Sequence, residues 1–227
     1  MKKENLLKNV IFAIMIFLLF NYSWIFQLVP VILFNLNVEN ISDKSGVFLN
    51  AFSTLTLAII LLFIYKDNII KEFKILKTKF WNNFDIGVKN WFIGLFFMII
   101  FNLVISKIFS GGQSANETAV QNMIRSVPWL MLITAGFLAP LTEEIVFRKS
   151  IRNIFSNRWL YILTSGVLFG LAHVLGNITS LFDLLYVLPY GSLGCAFAAS
   201  YYDTDTIFTP IIFHMIHNIV LVILSII

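Results

Sequence analysis

Three short segments of this 227-residue sequence place proton-handling groups inside stretches that are otherwise apolar. The first reads Ala139-Pro140-Leu141-Thr142-Glu143-Glu144-Ile145-Val146-Phe147-Arg148. Neighbouring residues on a helix point about 100° apart, so the two glutamates cannot share one role. Glu144 and Arg148, four apart, lie on one face and can pair, which leaves Glu143 a free carboxylate. The second segment sets Phe169 and His173 four apart, with Gly166 and Gly170 forming a small face for close helix packing. The third, Phe213-His214-Met215-Ile216-His217-Asn218, puts His214 and Asn218 on one face. His217 lies off that line and suits a hydrogen bond to a neighbouring helix. Carboxylates and imidazoles are the side chains of general acid and base chemistry. An ionised group near a bilayer centre costs about 2.5 to 3.5 kcal/mol or more, which makes each one a functional candidate. Glu143, Glu144 and Arg148 would equally suit the solvated end of a helix, and a lone histidine in an apolar span is commonly a packing residue.

What separates these alternatives is the set of elements that carries the residues. Hydrophobic residues make up 59% of the chain, aromatic residues 16% and charged residues 12%, against about 25% charged in soluble domains. Apolar runs near the length needed to span about 30 Å of hydrocarbon recur along the sequence. They predict an all-α, polytopic transmembrane bundle of seven spans, at 10–28, 47–65, 91–108, 127–147, 159–175, 178–200 and 207–227. An eighth or re-entrant segment stays open. The midpoint between Glu143 and His173 falls at Arg158, in the polar turn Ser156-Asn157-Arg158. An antiparallel hairpin about that turn sets both residues at one depth, roughly 22 Å of helix away. His214 and Asn218 follow the loop holding Asp203 and Asp205 by roughly 14 Å, which puts them in the same half of the membrane. Pro210, just before them, can start or kink their helix.

Basic residues set the expected orientation, because Lys and Arg of short loops stay on the cytoplasmic side. Thirteen of the sixteen lie before the first span, in the second loop and at the junction of the fourth and fifth spans, leaving Lys44, Lys107 and Arg125 for the other side. The N-terminus is therefore expected inside and, with seven spans, the C-terminus outside. Lys2, Lys3 and Lys8 precede an apolar run, but Asn21, Tyr22, Ser23 and Trp24 follow it where a signal peptide would carry small residues, so the run reads as an anchor. The net charge of +4 sits beside the spans and forms no groove with stacking aromatics, which argues against nucleic acid as a partner. In the second loop Ile69, Phe73, Leu76 and Phe80 recur at helical spacing opposite Lys71, Lys74 and Lys77, the pattern of a helix lying in the interface. Residues 110–126, polar and not basic, read as a flexible external connection. The single cysteine, Cys195, excludes an intrachain disulfide. The chain reads as one membrane domain over 1–227, with an N-terminal part, 1–126, that carries no motif.

Taken in order, Glu143-Glu144 with Arg148, Phe169 with His173, and His214 with Asn218 resemble the EExxxR, FxxxH and HxxxN motifs of the CAAX protease and bacteriocin-processing family of intramembrane endopeptidases. The resemblance covers residues 127–220. Lys149 departs from the family's frequent glycine after the arginine. The resemblance implies hydrolysis of a peptide bond by water activated by Glu143 and held by His173, with His214 and Asn218 as oxyanion donors and Glu144, Arg148 and Phe169 in supporting positions. It leaves the cofactor open: metal-free chemistry is favoured, but Glu143, His173 and His214 could ligate zinc. No HExxH is present. The implied substrate is a bacterial peptide or membrane protein, cut in bacteriocin maturation, self-immunity or signal-peptide processing, or a CAAX-like C-terminus. The residue composition, rich in Lys, Asn, Ile and Phe, points to a bacterial cell membrane. A non-proteolytic immunity or scaffold protein and a transporter are the alternatives; a transporter would show paired halves with matching broken helices.

Overall fold

The chain folds as an all-helical bundle that exposes many of its large apolar side chains. In the computed structural model, which describes residues 3–108, 114–178 and 180–227, no strand is present among the described residues. Phe63, Trp129, Phe96 and Leu163 are exposed on its outer surface, while Glu144 and Arg148 are fully buried. This inside-out distribution is that of a protein whose solvent is lipid, and the chain is an integral membrane protein.

Helix α1 (Lys3–Asn21) gives way to a 3-10 turn (Ser23–Gln27) and the short α2 (Leu28–Leu33), with a bend of 44° between the two parts. The Asn21 amide donates to the Phe17 carbonyl at the end of α1. Ser42 caps α3 (Asp43–Ile64) by accepting from Ser45 N. There follow α4 (Lys66–Thr78), α5 (Phe80–Ile108), α6 (Ala115–Ser126) and a helical span over Pro128–Lys149. That span is built from α7 (Pro128–Ile133), a π-helical turn (Thr134–Leu138), α8 (Ala139–Glu144) and a second π turn (Ile145–Lys149). Helices α9 (Arg158–Val174), α10 (Val187–Thr204) and α11 (Phe208–Ile226) complete the fold.

The expected count of seven spans is not confirmed. Among the described residues five helices are long and apolar enough to cross a membrane, six if the bent α1–α2 pair is one span. Helix α9, at 17 residues, is shorter, and the expected sixth span starts later than 178, as a 3-10 turn at Leu181–Tyr186 opened by a Ser180–Asp183 capping box. The connection expected to be flexible is helical over Ala115–Ser126 because Ser114 caps it, accepting from Glu117 N, and Ile124 buries itself in the core. Residues 110–113 of that stretch, and Lys2 of the N-terminal basic group, lie outside the described residues.

Helices α9 and α10 pack closely against each other. A Cβ on Gly166 would lie 2.3 Å from Cys195 Sγ and 2.8 Å from the Gly191 carbonyl, and one on Gly170 would lie 2.6 Å from the Val187 carbonyl. The small face expected of α9 is thus the seam against α10. Asn157 caps α9 by accepting from Trp159 N and Leu160 N, and Arg158 pairs with both oxygens of Asp203 at the far end of α10. The polar turn therefore anchors the hairpin that sets the depth of His173.

Candidate active site

Glu143 and Glu144 end a six-residue α-helical piece held between two π turns, each of which inserts a residue into the normal helical repeat. The result is that the two carboxylates reach the same imidazole from opposite sides. Glu144 Oε1 lies 2.7 Å from His214 Nδ1, and Glu143 Oε2 lies 3.7 Å from His214 Nε2. Glu143 Oε2 is also 4.0 Å from His173 Nε2, as the hairpin about residue 158 required.

Each histidine is oriented from behind. Glu144 also pairs with Arg148 Nε at 3.1 Å, so it acts as an acceptor and His214 Nδ1–H donates to it. His173 Nδ1 lies 2.9 Å from the Phe169 carbonyl and donates to it. Both Nε2 atoms consequently turn toward Glu143. Phe169 closes the arrangement: the Arg148 guanidinium lies over its ring at 4.3 Å, and His173 and His214 contact it at centroid distances of 4.3 and 5.7 Å. Arg148 further donates to the Gly194 carbonyl at 3.3 Å.

Asn218 faces the same cavity, one helical turn beyond His214. Its amide donates to the Ala135 carbonyl at 2.9 Å. In the π register the partner of Ala135 is residue 140, a proline with no N–H, so Asn218 supplies the missing donor and keeps its second N–H for other use. His217 does not meet the sequence expectation of a hydrogen bond to a neighbouring helix. It is buried, lines the cavity, and has no hydrogen-bond partner among the described residues.

The cavity measures about 660 Å³ and is walled by α5, α6, the Glu143 span, α10 and α11. Sequence reasoning missed several of its residues. Tyr190 stacks on His173 at 4.7 Å, and its hydroxyl meets Ser114 Oγ at 2.8 Å and accepts from Asn116 at 3.2 Å, tying the start of α6 to the site. Phe197 stacks on His214 at 4.8 Å. Neither aromatic belongs to a recognisable motif; the only available signal was the Ser114-to-Glu117 spacing of a capping box.

The tautomers of His173 and His214 would suit metal ligands, but the spacing does not. Bonds of about 2.0 to 2.1 Å to a tetrahedral zinc would bring ligand atoms within about 3.3 Å of one another, closer than the 3.7 and 4.0 Å separations from Glu143. Among the described residues no group of three or more His, Cys, Asp or Glu side chains is placed to hold a metal ion.

A second buried polar cluster braces the site from the other side. Glu72 of α4 pairs with Lys149, accepts from Tyr201 Oη at 3.0 Å, and caps the approach to α11 by accepting from Ile207 N at 2.7 Å. Thr206 donates to the Glu72 carbonyl at 3.0 Å. Lys149, where the family often has glycine, is thus a packed ionic partner of α4, whose Lys71, Lys74 and Lys77 remain exposed.

These contacts place Glu143, Phe169, His173, His214 and Asn218 on one cavity with Glu144 and Arg148 buried behind them, and comparison with known proteins addresses the same stretch of chain. Residues 125–220 match the family model described as type II CAAX prenyl endopeptidase Rce1-like. This segment is similar to the Rce1-like family. Outside the family model, the chain is 33% identical over 143 residues to the Bacillus subtilis protein named "Putative membrane peptidase YdiL", covering 61% of this chain and 55% of that protein. It is 28% identical over 134 residues to the "Membrane-embedded CAAX protease MroQ" of Staphylococcus aureus, covering 55% of this chain and 51% of that protein. The chain thus spans about half the length of these curated relatives. No solved structure matches it. The Rce1-like segment contains Glu143, His173, His214 and Asn218, and the helices α9, α10 and most of α11.

Proposed function

We propose that the protein is an intramembrane endopeptidase in which Glu143 activates a water for attack on a peptide carbonyl. The observation that carries this reading is the convergence on Glu143 Oε2, a buried oxygen without a hydrogen-bond partner, of the Nε2 atoms of two histidines whose Nδ1 atoms are already committed. Glu143 takes a proton from water, and His173 Nε2 accepts the other water hydrogen and aims the oxygen. The carbonyl oxygen becomes an oxyanion, which receives the free N–H of Asn218 and, from the imidazolium form, Nε2–H of His214. Glu144 stabilises that imidazolium through Nδ1, as a buried carboxylate does in other hydrolytic sites. Glu143 then returns its proton to the leaving amine. The names of the curated relatives, a membrane peptidase and a CAAX protease, agree with this class of reaction.

The substrate is a peptide or membrane protein of a bacterial cell, presented within the bilayer. The distribution of basic residues supports a cytoplasmic N-terminus and an active site in the cytoplasmic half of the membrane. Purified protein in liposomes, incubated with membrane-inserted peptides and read by mass spectrometry, tests the reading. Internal cleavage that persists with a strong chelator is the expected result. Cleavage abolished by chelator and restored by zinc would replace glutamate-activated water with metal chemistry, and absence of any cleavage together with retained partner binding would favour an immunity or scaffold role.

A further inference from the structure

The charge lining the catalytic cavity is one-sided. Two carboxylates, Glu143 and Glu117, face it, and no Lys or Arg lines it among the described residues. Glu117 sits in the first turn of α6, three residues from Ser114, which joins Tyr190 and through its ring His173. It is therefore on the wall next to the reacting groups.

Beyond its place in the first turn of α6, where a carboxylate suits the helix dipole, Glu117 has no structural task that uses its charge. In a capping box its side chain would fold back to the Ser114 N–H; instead Oε1 accepts from Gln121 at 2.9 Å, and no basic side chain pairs with it among the described residues. His217, 7% exposed and without a hydrogen-bond partner among the described residues, opens onto the same cavity and adds a polar group to its wall. A cavity walled by lipid-facing helices and carrying, at Glu117, a carboxylate with no basic side chain beside it among the described residues favours a cation and opposes an anion, since the low dielectric leaves such interactions weakly screened. A C-terminal tripeptide leaving group would bring its own carboxylate into this space without a cationic partner.

We propose that the cavity selects peptides carrying a lysine or arginine side chain near the scissile bond, with Glu117 as the residue that recognises it, and that it disfavours substrates cut close to a free C-terminal carboxylate. This rests on the cavity being the substrate site of the endopeptidase proposed above. The cationic side chain pairs with Glu117 while the backbone passes Glu143, and His217 is available to hydrogen-bond the peptide.

The test measures binding, so that it stands apart from catalysis. Glu143→Gln protein in detergent is titrated with fluorescent peptides of leucine, alanine and serine, blocked at both ends, in which one lysine, glutamine or glutamate is walked along the chain. At one or more positions lysine should bind about tenfold or more tightly than glutamate, with glutamine between. Glu117→Gln should reduce that preference to about twofold or less, Glu117→Asp should retain its sign, and unblocking the C-terminal carboxylate should weaken binding. Equal affinities for the three residues at every position, or a preference unchanged in Glu117→Gln, would overturn the proposal. Cleavage by wild-type protein and its loss in Glu143→Gln are read separately, so a failed peptidase assay leaves the selectivity result interpretable.

Discussion

His214 is held between two adjacent glutamates, Glu144 at 2.7 Å from Nδ1 and Glu143 at 3.7 Å from Nε2. The two carboxylates cannot be equivalent. Glu144 is fully buried and paired with Arg148, whereas Glu143 faces the cavity, so in the proposed mechanism one orients the imidazole and the other meets the substrate.

Glu144→Gln should therefore impair turnover more than binding, because an amide in place of the carboxylate no longer stabilises the imidazolium. A fall in kcat of about 100-fold or more with KM within about threefold is expected. Arg148→Met should act on the fold as well: it removes the Arg partner of the buried Glu144 carboxylate and leaves it only the His214 imidazole, at a cost of about 3 to 5 kcal/mol. A denaturation midpoint close to wild type for Arg148→Met would contradict the buried ion pair.

The seam between α9 and α10 offers a test independent of catalysis. Gly166→Val must displace Cys195 and the Gly191 backbone, since even a Cβ would meet them at 2.3 and 2.8 Å. Overpacking of this kind costs about 1 to 3 kcal/mol or more. Gly176→Ala, with nothing within 4 Å of the added carbon, is the matched control and should leave the thermal midpoint nearly unchanged.

The Glu72–Lys149 pair joins α4 to the span that carries the glutamates. Lys149→Met alone strands a buried carboxylate and should destabilise by about 3 to 5 kcal/mol, while Lys149→Met combined with Glu72→Gln should recover part of the loss. A double-mutant cycle in urea or by thermal unfolding reads the coupling; simple additivity would show that the pair does not brace the site.

Much of this site was legible in the sequence because helical spacing and a single turn determine it. Glu144 and Arg148 pair as residues four apart on one helix do, and the turn at Asn157 fixes Glu143 and His173 at one depth. The face of Gly166 and Gly170 likewise needed only periodicity. Tyr190, Phe197 and Glu72 were not legible, because each reaches the site across helices whose relative rotation no local pattern specifies. Helix α6 was mistaken for a loop: its Ser114 cap follows two glycines and its apolar residues are few, so composition outweighed the Ser114 signal. Residue His217 was read as a hydrogen-bond partner of a neighbouring helix because it lies off the face of His214 and Asn218, yet it lines the same cavity as they do.

The most direct test is the kcat of Glu143→Gln against wild type in liposomes, on a peptide that the wild-type protein cleaves, with thermal midpoints measured in parallel. Glu143 has no ion pair with Arg or Lys among the described residues, so the substitution should leave the midpoint essentially intact. The account predicts a loss of about 1,000-fold in kcat at unchanged stability; cleavage within about threefold of wild type would show that Glu143 is not the base.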